Sequence, residues 1–201
     1  MYEYFIGKDG VFDTPLTATV FSLILVGFML IETRFKIRAP QGAKRESART
    51  FLPLAVAIPI SLLAPLVCGF FQLGVIRGEL RSVWVALGLI LMAGGRLLRT
   101  WAQMQMRHLY IGEAAVQPGH RVVDTGPYRW IRHPGYVGGT LAAVGIGLAL
   151  SSWLGALLAG VVLVIAYAIR IPREEALLAQ EMGEAYLSYM ARTKRFVPFL
   201  F

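Results

Sequence analysis

The chain has 201 residues, of which 56% are hydrophobic and 16% charged, and its mean hydropathy is +0.59. Soluble domains carry about 25% charged residues, so this composition excludes an ordinary water-soluble globular protein. It predicts one multi-pass membrane domain, and we attribute the formal charge of +8 to basic loops on one side of the membrane rather than to a nucleic acid partner.

Residue types that bind metals or form disulfides are scarce. Cys68 is the single cysteine and lies in an apolar segment, so neither a disulfide framework nor a cysteine-rich metal motif is possible. The three histidines, His108, His120 and His133, do not have the spacing of metal ligands. We therefore predict no metal site.

The apolar segments predict an all-α integral membrane protein with about five transmembrane helices. One span needs about 20 residues to cross the hydrocarbon layer. The stretch 136–171 is almost uncharged and too long for one span, so we predict a tight hairpin of two helices that turns at Ser151 and Ser152. The other predicted spans are residues 16–31, 51–73 (kinked by three prolines) and 83–98. Small residues at spacing four predict close helix packing in the hairpin: Gly139, Ala143 and Gly147.

The basic residues predict the orientation. Loops 32–50, 96–133 and 170–195 carry 17 of the 20 Lys and Arg residues. Because basic loops remain in the cytoplasm, these loops and the C-terminus are expected there and the N-terminus outside. We divide the chain into an N-terminal three-helix region, 1–95 with its third span reaching about 98, and a second membrane region, 96–201.

Three polar clusters accompany the hairpin. They are Arg129, Arg132, His133 and Tyr136; then Arg170, Arg173, Glu174 and Glu175; and near the C-terminus Tyr186, Tyr189, Lys194, Arg195 and Phe196. Taken singly, arginines anchor span ends, and carboxylates after Pro172 suit the first turn of a helix. A hairpin, however, returns its two ends to one membrane face, so the first two clusters should meet at a cytosolic rim. We predict a pocket there with both signs of charge, suited to a zwitterionic ligand beside a lipid-like partner.

The polar end of the chain predicts an amphipathic helix. From Glu174 onward, Leu178, Met182, Ala185 and Tyr189 recur at helical spacing. Such a helix either lies in the membrane interface or folds back over the rim of the pocket.

The motifs together resemble the isoprenylcysteine carboxyl methyltransferase family. The resemblance rests on Leu-Arg-x-x-Ala at 98–102, GPYRWIRHPGYVGG at 126–139, REEALL at 173–178, a Gly-x-x-Tyr-x-x-Tyr from Gly183 and RFVPF at 195–199. It covers about residues 95–200. It implies an integral-membrane enzyme that transfers a methyl group from S-adenosylmethionine, with 96–201 as the catalytic region and a cytosolic cofactor pocket.

The resemblance also implies which residues act. Family cofactor sites are built from the RHPxY and EE segments and capped by the C-terminal region. The implied cofactor-binding residues are Arg132, His133, Tyr136, Gly138, Glu174, Glu175, Tyr186, Tyr189 and Phe196. A glutamate can accept from the cofactor's amino group, and His or Arg can hold its carboxylate. Arg170, or second Arg173, is expected to orient an acceptor carboxylate, whereas a phenol or amine acceptor would need Glu174 as a base.

The acceptor stays open at this point. We expect a lipophilic molecule from the bilayer: a prenylcysteine-like carboxylate, another lipid O-nucleophile or a phospholipid amine. The stretch QMQMRHLYIG at 103–112 departs from the family pattern, with Arg107 in place of a glycine, which allows a different substrate-facing surface. Because relatives occur in bacteria, we expect a bacterial inner-membrane protein. An NADPH-dependent membrane reductase and a non-catalytic membrane scaffold are the alternatives from other classes.

Overall fold

The computed structural model describes residues 10–12, 14–34, 44–45, 48–106, 115–116 and 121–196. The helices are α1 (Pro15–Arg34), α2 (Ala48–Phe70), α3 (Arg81–Met106), α4 (Pro134–Ala149), α5 (Trp153–Met182) and α6 (Glu184–Arg192). A 3-10 helix, Gly126–Arg129, precedes α4, and β1 (Lys44–Arg45) pairs antiparallel with β2 (Ala115–Val116). The predicted all-α class is confirmed. Arg107, His108, His120 and the end of the RFVPF motif lie outside the described residues.

Five of the described helices coincide with the predicted spans. By length and composition, α3, α5 and the Leu52–Phe70 part of α2 can each cross a membrane. The apolar stretches of α1 and α4, Pro15–Gly27 and Pro134–Ala149, are shorter. Large apolar side chains are exposed along the outer faces of these helices, where a bilayer rather than water would cover them.

Glycines let α4 pack closely against both of its neighbours. A Cβ atom on Gly95 of α3 would lie 2.5 Å from the carbonyl oxygen of Gly138 in α4. On another face of α4, Gly147 packs directly against the backbone of Ala156 in α5. Neither contact leaves room for a side chain, so the predicted packing role is confirmed for Gly147, whereas a Cβ atom on Gly139 would make only ordinary contacts.

The hairpin turns at Ser151 and Ser152, as predicted. Ser152 is the N-cap of α5, and its hydroxyl also donates to the carbonyl oxygen of Leu73 at 2.7 Å. The buried Arg81, at the start of α3, donates to the Ser151 hydroxyl at 3.0 Å and to the carbonyl oxygen of Gly10. The turn is therefore fastened to the segments that precede α1 and follow α2.

The last long helix differs from the prediction. We expected a helix to begin at Pro172, but α5 continues through this proline, since the neighbouring Ile171 and Glu175 are held by tertiary packing. The chain breaks instead at Gly183, whose φ of 57° favours glycine. The amphipathic helix predicted from Glu174 onward is therefore divided between the end of α5 and the short α6.

Gln103 of α3 provides a test of this packing. Its side chain is fully buried, and neither its Oε1 nor its Nε2 has a hydrogen-bond partner within the described part of the chain. A buried unpaired amide costs about 1–3 kcal/mol, so Gln103→Met should raise the free energy of unfolding by about that amount. Denaturant unfolding in detergent measures the change.

Gln105→Met is the matched control for this substitution. The Oε1 atom of Gln105 accepts a hydrogen bond from Thr125 in an exposed setting, so its loss should change the free energy of unfolding by less than about 0.5 kcal/mol. A Gln103→Met protein that is less stable than the unsubstituted chain would contradict the assignment of an unpaired amide.

Candidate functional site

The α4–α5 hairpin brings the two predicted polar clusters together. Arg132 and His133 lie immediately before α4 and Tyr136 in its first turn, whereas Glu174 and Glu175 lie near the end of α5. Hydrogen bonds join residues that are 38 to 43 positions apart in the sequence. The predicted meeting of these clusters is confirmed.

The Glu175 carboxylate is the centre of the site. Its Oε1 accepts from Arg132 Nε at 2.8 Å and is hydrogen-bonded to His133 Nε2 at 3.1 Å. Its Oε2 accepts from Arg195 through Nη2 at 2.9 Å and Nε at 3.1 Å. The Glu175 side chain is only 3% exposed, so these three basic side chains replace the water that a charged carboxylate would otherwise need.

A second hydrogen-bonded chain lies beside the first. Tyr136 donates its phenolic proton to Glu174 Oε2 at 2.6 Å, and Arg170 Nε donates to the same phenol oxygen at 2.7 Å. The Tyr136 ring stacks on Tyr167, with centroids 4.4 Å apart, and on His133 at 5.5 Å. The aromatic stack therefore connects the polar site to the apolar cluster of the hairpin, of which Tyr167 is a member.

Residues 193–196, the C-terminal strap, border the site on one side. The strap pairs in parallel with the chain before α4: Arg132 N donates to Lys194 O at 2.7 Å, and His133 N donates to Arg195 O at 3.2 Å. The backbone itself thus places the Arg195 side chain beside the Glu175 carboxylate.

Helix α6 covers the same end of the hairpin with two buried tyrosines. Tyr189 donates to the carbonyl oxygen of Tyr128 at 2.8 Å, and Arg132 Nη1 donates to Met190 O at 3.0 Å. Burial raises the pKa of the Tyr186 and Tyr189 phenols above their usual range. Both tyrosines therefore remain protonated hydrogen-bond donors at neutral pH.

Most of the predicted site residues converge at this point. They are Arg132, His133, Tyr136, Arg170, Glu174, Glu175, Tyr186, Tyr189 and Phe196, whose ring lies 6.3 Å from that of His133. Gly138 is not one of them, because it packs on Gly95 of α3, and packing accounts for its lack of a side chain. Arg173 lies on the exposed face of α5, away from the buried Arg170. The roles of Gly138 and Arg173 stay predictions, and Arg170 is the better placed of the two arginines, because it is buried and donates to Tyr136.

Arg195 belongs to the third polar cluster of the sequence, but it was not among the residues predicted to bind the cofactor or to act in catalysis. It belongs to the RFVPF motif, which carried part of the family resemblance, and this was the available signal. Helical periodicity gives no information on a non-helical segment, so the pairing of the C-terminal strap with the chain at Arg132 could not be predicted from the sequence. Arg132, a predicted cofactor-binding residue, donates to Glu175 and to Met190 O and so also supports the carboxylate and α6; its role toward the cofactor stays a prediction.

Comparisons with known proteins agree with this fold and with the family resemblance. A family model described as phospholipid methyltransferase matches residues 83–185, half of the chain. A probable protein-S-isoprenylcysteine O-methyltransferase of Oryza sativa subsp. indica is 29% identical over 126 residues, 61% of this chain and 66% of that protein. The protein-S-isoprenylcysteine O-methyltransferase of Schizosaccharomyces pombe is 31% identical over 121 residues, 59% of this chain and 51% of that protein.

The fold is also that of a solved membrane protein. A structure of the eukaryotic intramembrane Ras methyltransferase ICMT (isoprenylcysteine carboxyl methyltransferase) aligns with a TM-score of 0.61 and 20% identity, covering 90% of this chain and 68% of that one. The class is thus a helical integral membrane fold with a polar site at one end of a hairpin. The chain belongs to the phospholipid methyltransferase family, and its resemblance to isoprenylcysteine carboxyl methyltransferases is confirmed. It covers less than two thirds of the length of either curated relative.

The ion pairs of the buried Glu175 carboxylate should contribute strongly to the stability of the fold. Glu175→Gln removes the charge that Arg132 and Arg195 share, and breaking a buried ion pair typically costs about 3–5 kcal/mol. The free energy of unfolding in detergent should fall by an amount of this order.

The exposed pair between Arg192 and Asp124 is the matched control. Its N–O distance is 2.6 Å, but the two side chains are 57% and 48% exposed. Since exposed pairs contribute about 0–1 kcal/mol, Asp124→Asn should have little effect. Equal losses of stability in the two variants would refute the central place of Glu175.

Proposed function

We propose that this chain is an integral-membrane methyltransferase that transfers a methyl group from S-adenosylmethionine to a lipophilic acceptor. The observation that carries the proposal is the meeting of Glu174 and Glu175 with Tyr136, His133 and Arg170 at one end of the hairpin. Membership of the phospholipid methyltransferase family and the names of the curated relatives support the same chemistry.

The donor set fits the cofactor. The methionine end of S-adenosylmethionine carries an ammonium group, which needs a carboxylate, and a carboxylate group, which needs a cationic donor. Glu174 and Glu175 are carboxylates suited to the ammonium group, and His133 and Arg132 are donors suited to the carboxylate group. Four aromatic rings lie close by and are suited to the adenine: the buried Tyr186 and Tyr189 and the partly buried Tyr136 and Phe196.

The chemistry requires mainly positioning from the protein. When bound, the cofactor supplies a methyl group on a sulfonium, which an acceptor takes by in-line displacement. The side chains of the site then hold the reactants in line and balance charge. A carboxylate acceptor needs no base, and the buried Arg170 is suited to orient it. A phenol or amine acceptor would require a base, for which Glu174 is the candidate.

For the acceptor we propose a prenylcysteine-like carboxylate. The rice and fission yeast relatives are named protein-S-isoprenylcysteine O-methyltransferases, and a carboxylate matches the guanidinium of Arg170. The second candidate, a phospholipid amine, is favoured by the description of the matching family model. Either acceptor would come from the bilayer, along the exposed apolar faces of the helices.

We also propose the predicted orientation, with the site and the C-terminus in the cytosol of a bacterium and the N-terminus outside its inner membrane. The distribution of the 20 Lys and Arg residues supports this arrangement, because 17 of them belong to the loops on the side of the site. The water-soluble cofactor and the lipophilic acceptor then reach the site from different phases.

A labelling experiment tests the function and the acceptor together. The purified protein is incubated with S-adenosylmethionine carrying a labelled methyl group and with either an S-prenylated N-acetylcysteine or phosphatidylethanolamine. We expect label in the prenylcysteine, and we expect mild base to release it as volatile methanol, because a methyl ester hydrolyses whereas an N-methyl amine does not.

Base-stable label in phosphatidylethanolamine would favour the second candidate instead. The same protein is titrated with S-adenosylmethionine, S-adenosylhomocysteine and NADPH by calorimetry. Binding of NADPH alone would support a reductase, and a protein that binds none of the three and transfers no label would leave the scaffold as the remaining explanation.

Arg170→Gln tests the orienting role. Losing the guanidinium should lower kcat by roughly 100-fold or more if it positions a developing ester oxygen, while the affinity for S-adenosylhomocysteine should change much less. Arg170→Lys should restore part of the rate because it keeps the charge. Arg173→Gln on the exposed face of α5 is the control and should retain the turnover of the unsubstituted chain. Full turnover in Arg170→Gln would show that this assignment is wrong.

A further inference from the structure

The two oxygens of the Glu175 carboxylate have different partners. Oε1 is shared by Arg132 and His133, whereas Oε2 accepts hydrogen bonds from Arg195, at 2.9 and 3.1 Å. Arg132 and His133 come from the chain that leads into α4, and Arg195 comes from the C-terminal strap. Each carboxylate oxygen of Glu175 is therefore hydrogen-bonded by side chains from a different part of the molecule.

The three basic side chains also differ in how firmly they are held. The Arg132 side chain is 9% exposed, and its guanidinium donates further hydrogen bonds to the carbonyl oxygens of Met190 and Thr193. His133 is 5% exposed. The Arg195 side chain is 39% exposed, and its contacts with Glu175 Oε2 are its hydrogen bonds within the described residues. Arg195 is consequently the partner that can leave at the lowest cost.

The strap itself does not have to move when this side chain leaves. The backbone of Lys194 and Arg195 remains paired with Arg132 and His133. Only the χ angles of Arg195 need to change, and its guanidinium then remains near the carboxylate that it has released.

We propose that Arg195 is a cofactor-binding residue that works by exchange of ion pairs. In the absence of ligand, its guanidinium covers Glu175 Oε2, which avoids a buried oxygen without a partner. An incoming α-amino acid group places its ammonium on Oε2, and the displaced guanidinium binds the ligand's carboxylate. One ion pair becomes two, and the zwitterionic amino acid group adds no net charge of its own. This inference rests on the proposed use of S-adenosylmethionine and names the residue that selects its intact zwitterion.

The exchange predicts a preference that depends on the ligand's carboxylate. Decarboxylated S-adenosylmethionine retains the adenosine, the sulfonium and the ammonium but offers nothing to the guanidinium. The chain should therefore bind S-adenosylmethionine more tightly than the decarboxylated compound by roughly 10- to 100-fold, the range expected for one charge-assisted hydrogen bond.

Calorimetric titration of both ligands into the full chain and its variants tests the exchange. In Arg195→Gln, the affinity for S-adenosylmethionine should fall by roughly 10- to 100-fold, and the affinity for the decarboxylated compound should stay constant or rise, because no Glu175–Arg195 pair has to be broken. Arg195→Lys should recover part of the preference. Arg192 of α6 forms an exposed ion pair with Asp124, so Arg192→Gln is the control. Its affinities for both ligands should equal those of the unsubstituted chain.

The outcomes separate this inference from the proposed function. If the unsubstituted chain binds neither sulfonium compound, the proposed function fails and the exchange fails with it. If it binds both compounds equally well, or if Arg195→Gln weakens both by the same factor, the exchange alone is overturned. Equal binding of the two ligands by the unsubstituted chain overturns the exchange even if Arg195→Gln does not fold, and a preference that Arg195→Gln abolishes is assigned to Arg195.

Discussion

The buried charge of Glu175 is the constraint on which this end of the molecule depends. A desolvated carboxylate is tolerated only when cationic or donor groups reach both of its oxygens. Here those groups come from the chain before α4 and from the strap after α6. The strap reaches the carboxylate only if the chain reverses after α5, and the break at Gly183 followed by the short α6 provides this reversal. The reversal of the chain at Gly183 thus makes the Glu175–Arg195 ion pair possible, and this ion pair in turn holds the strap in place.

The close contact between α3 and α4 positions the other half of the site. Gly95 and Gly138 allow the two backbones to approach until no side chain fits between them. Nearby, Arg99 of α3 donates to the carbonyl oxygen of Gly135, in the first turn of α4. Contacts with α3 therefore position the first turn of α4, which carries Tyr136, independently of the contacts between α4 and α5. The precision of the polar site depends on apolar packing elsewhere in the bundle.

The sequence was sufficient to predict the parts that follow from periodicity and charge. Long apolar runs gave the spans, Ser151 and Ser152 gave the turn, and the return of a hairpin to one face predicted contacts between residues about 40 positions apart. Local rules failed where tertiary contacts override them. Pro172 reads as a helix start, yet packing on both sides carries α5 through it. Tertiary packing also adds a second reason for the glycine at position 138, because helix α3 occupies the space beside it.

The fastening of the hairpin at its other end has a mechanical consequence. Arg81 holds Ser151 and Gly10 together, and Ser152 is bonded to Leu73, at the end of the bundle opposite to Glu175. With its turn anchored and its open ends joined by ion pairs, the hairpin forms a rigid frame that is closed at both ends. Widening this frame would break contacts at one end or the other. The α6–strap segment closes this frame from outside, because its backbone pairs with the chain before α4 and Tyr189 donates to the carbonyl oxygen of Tyr128.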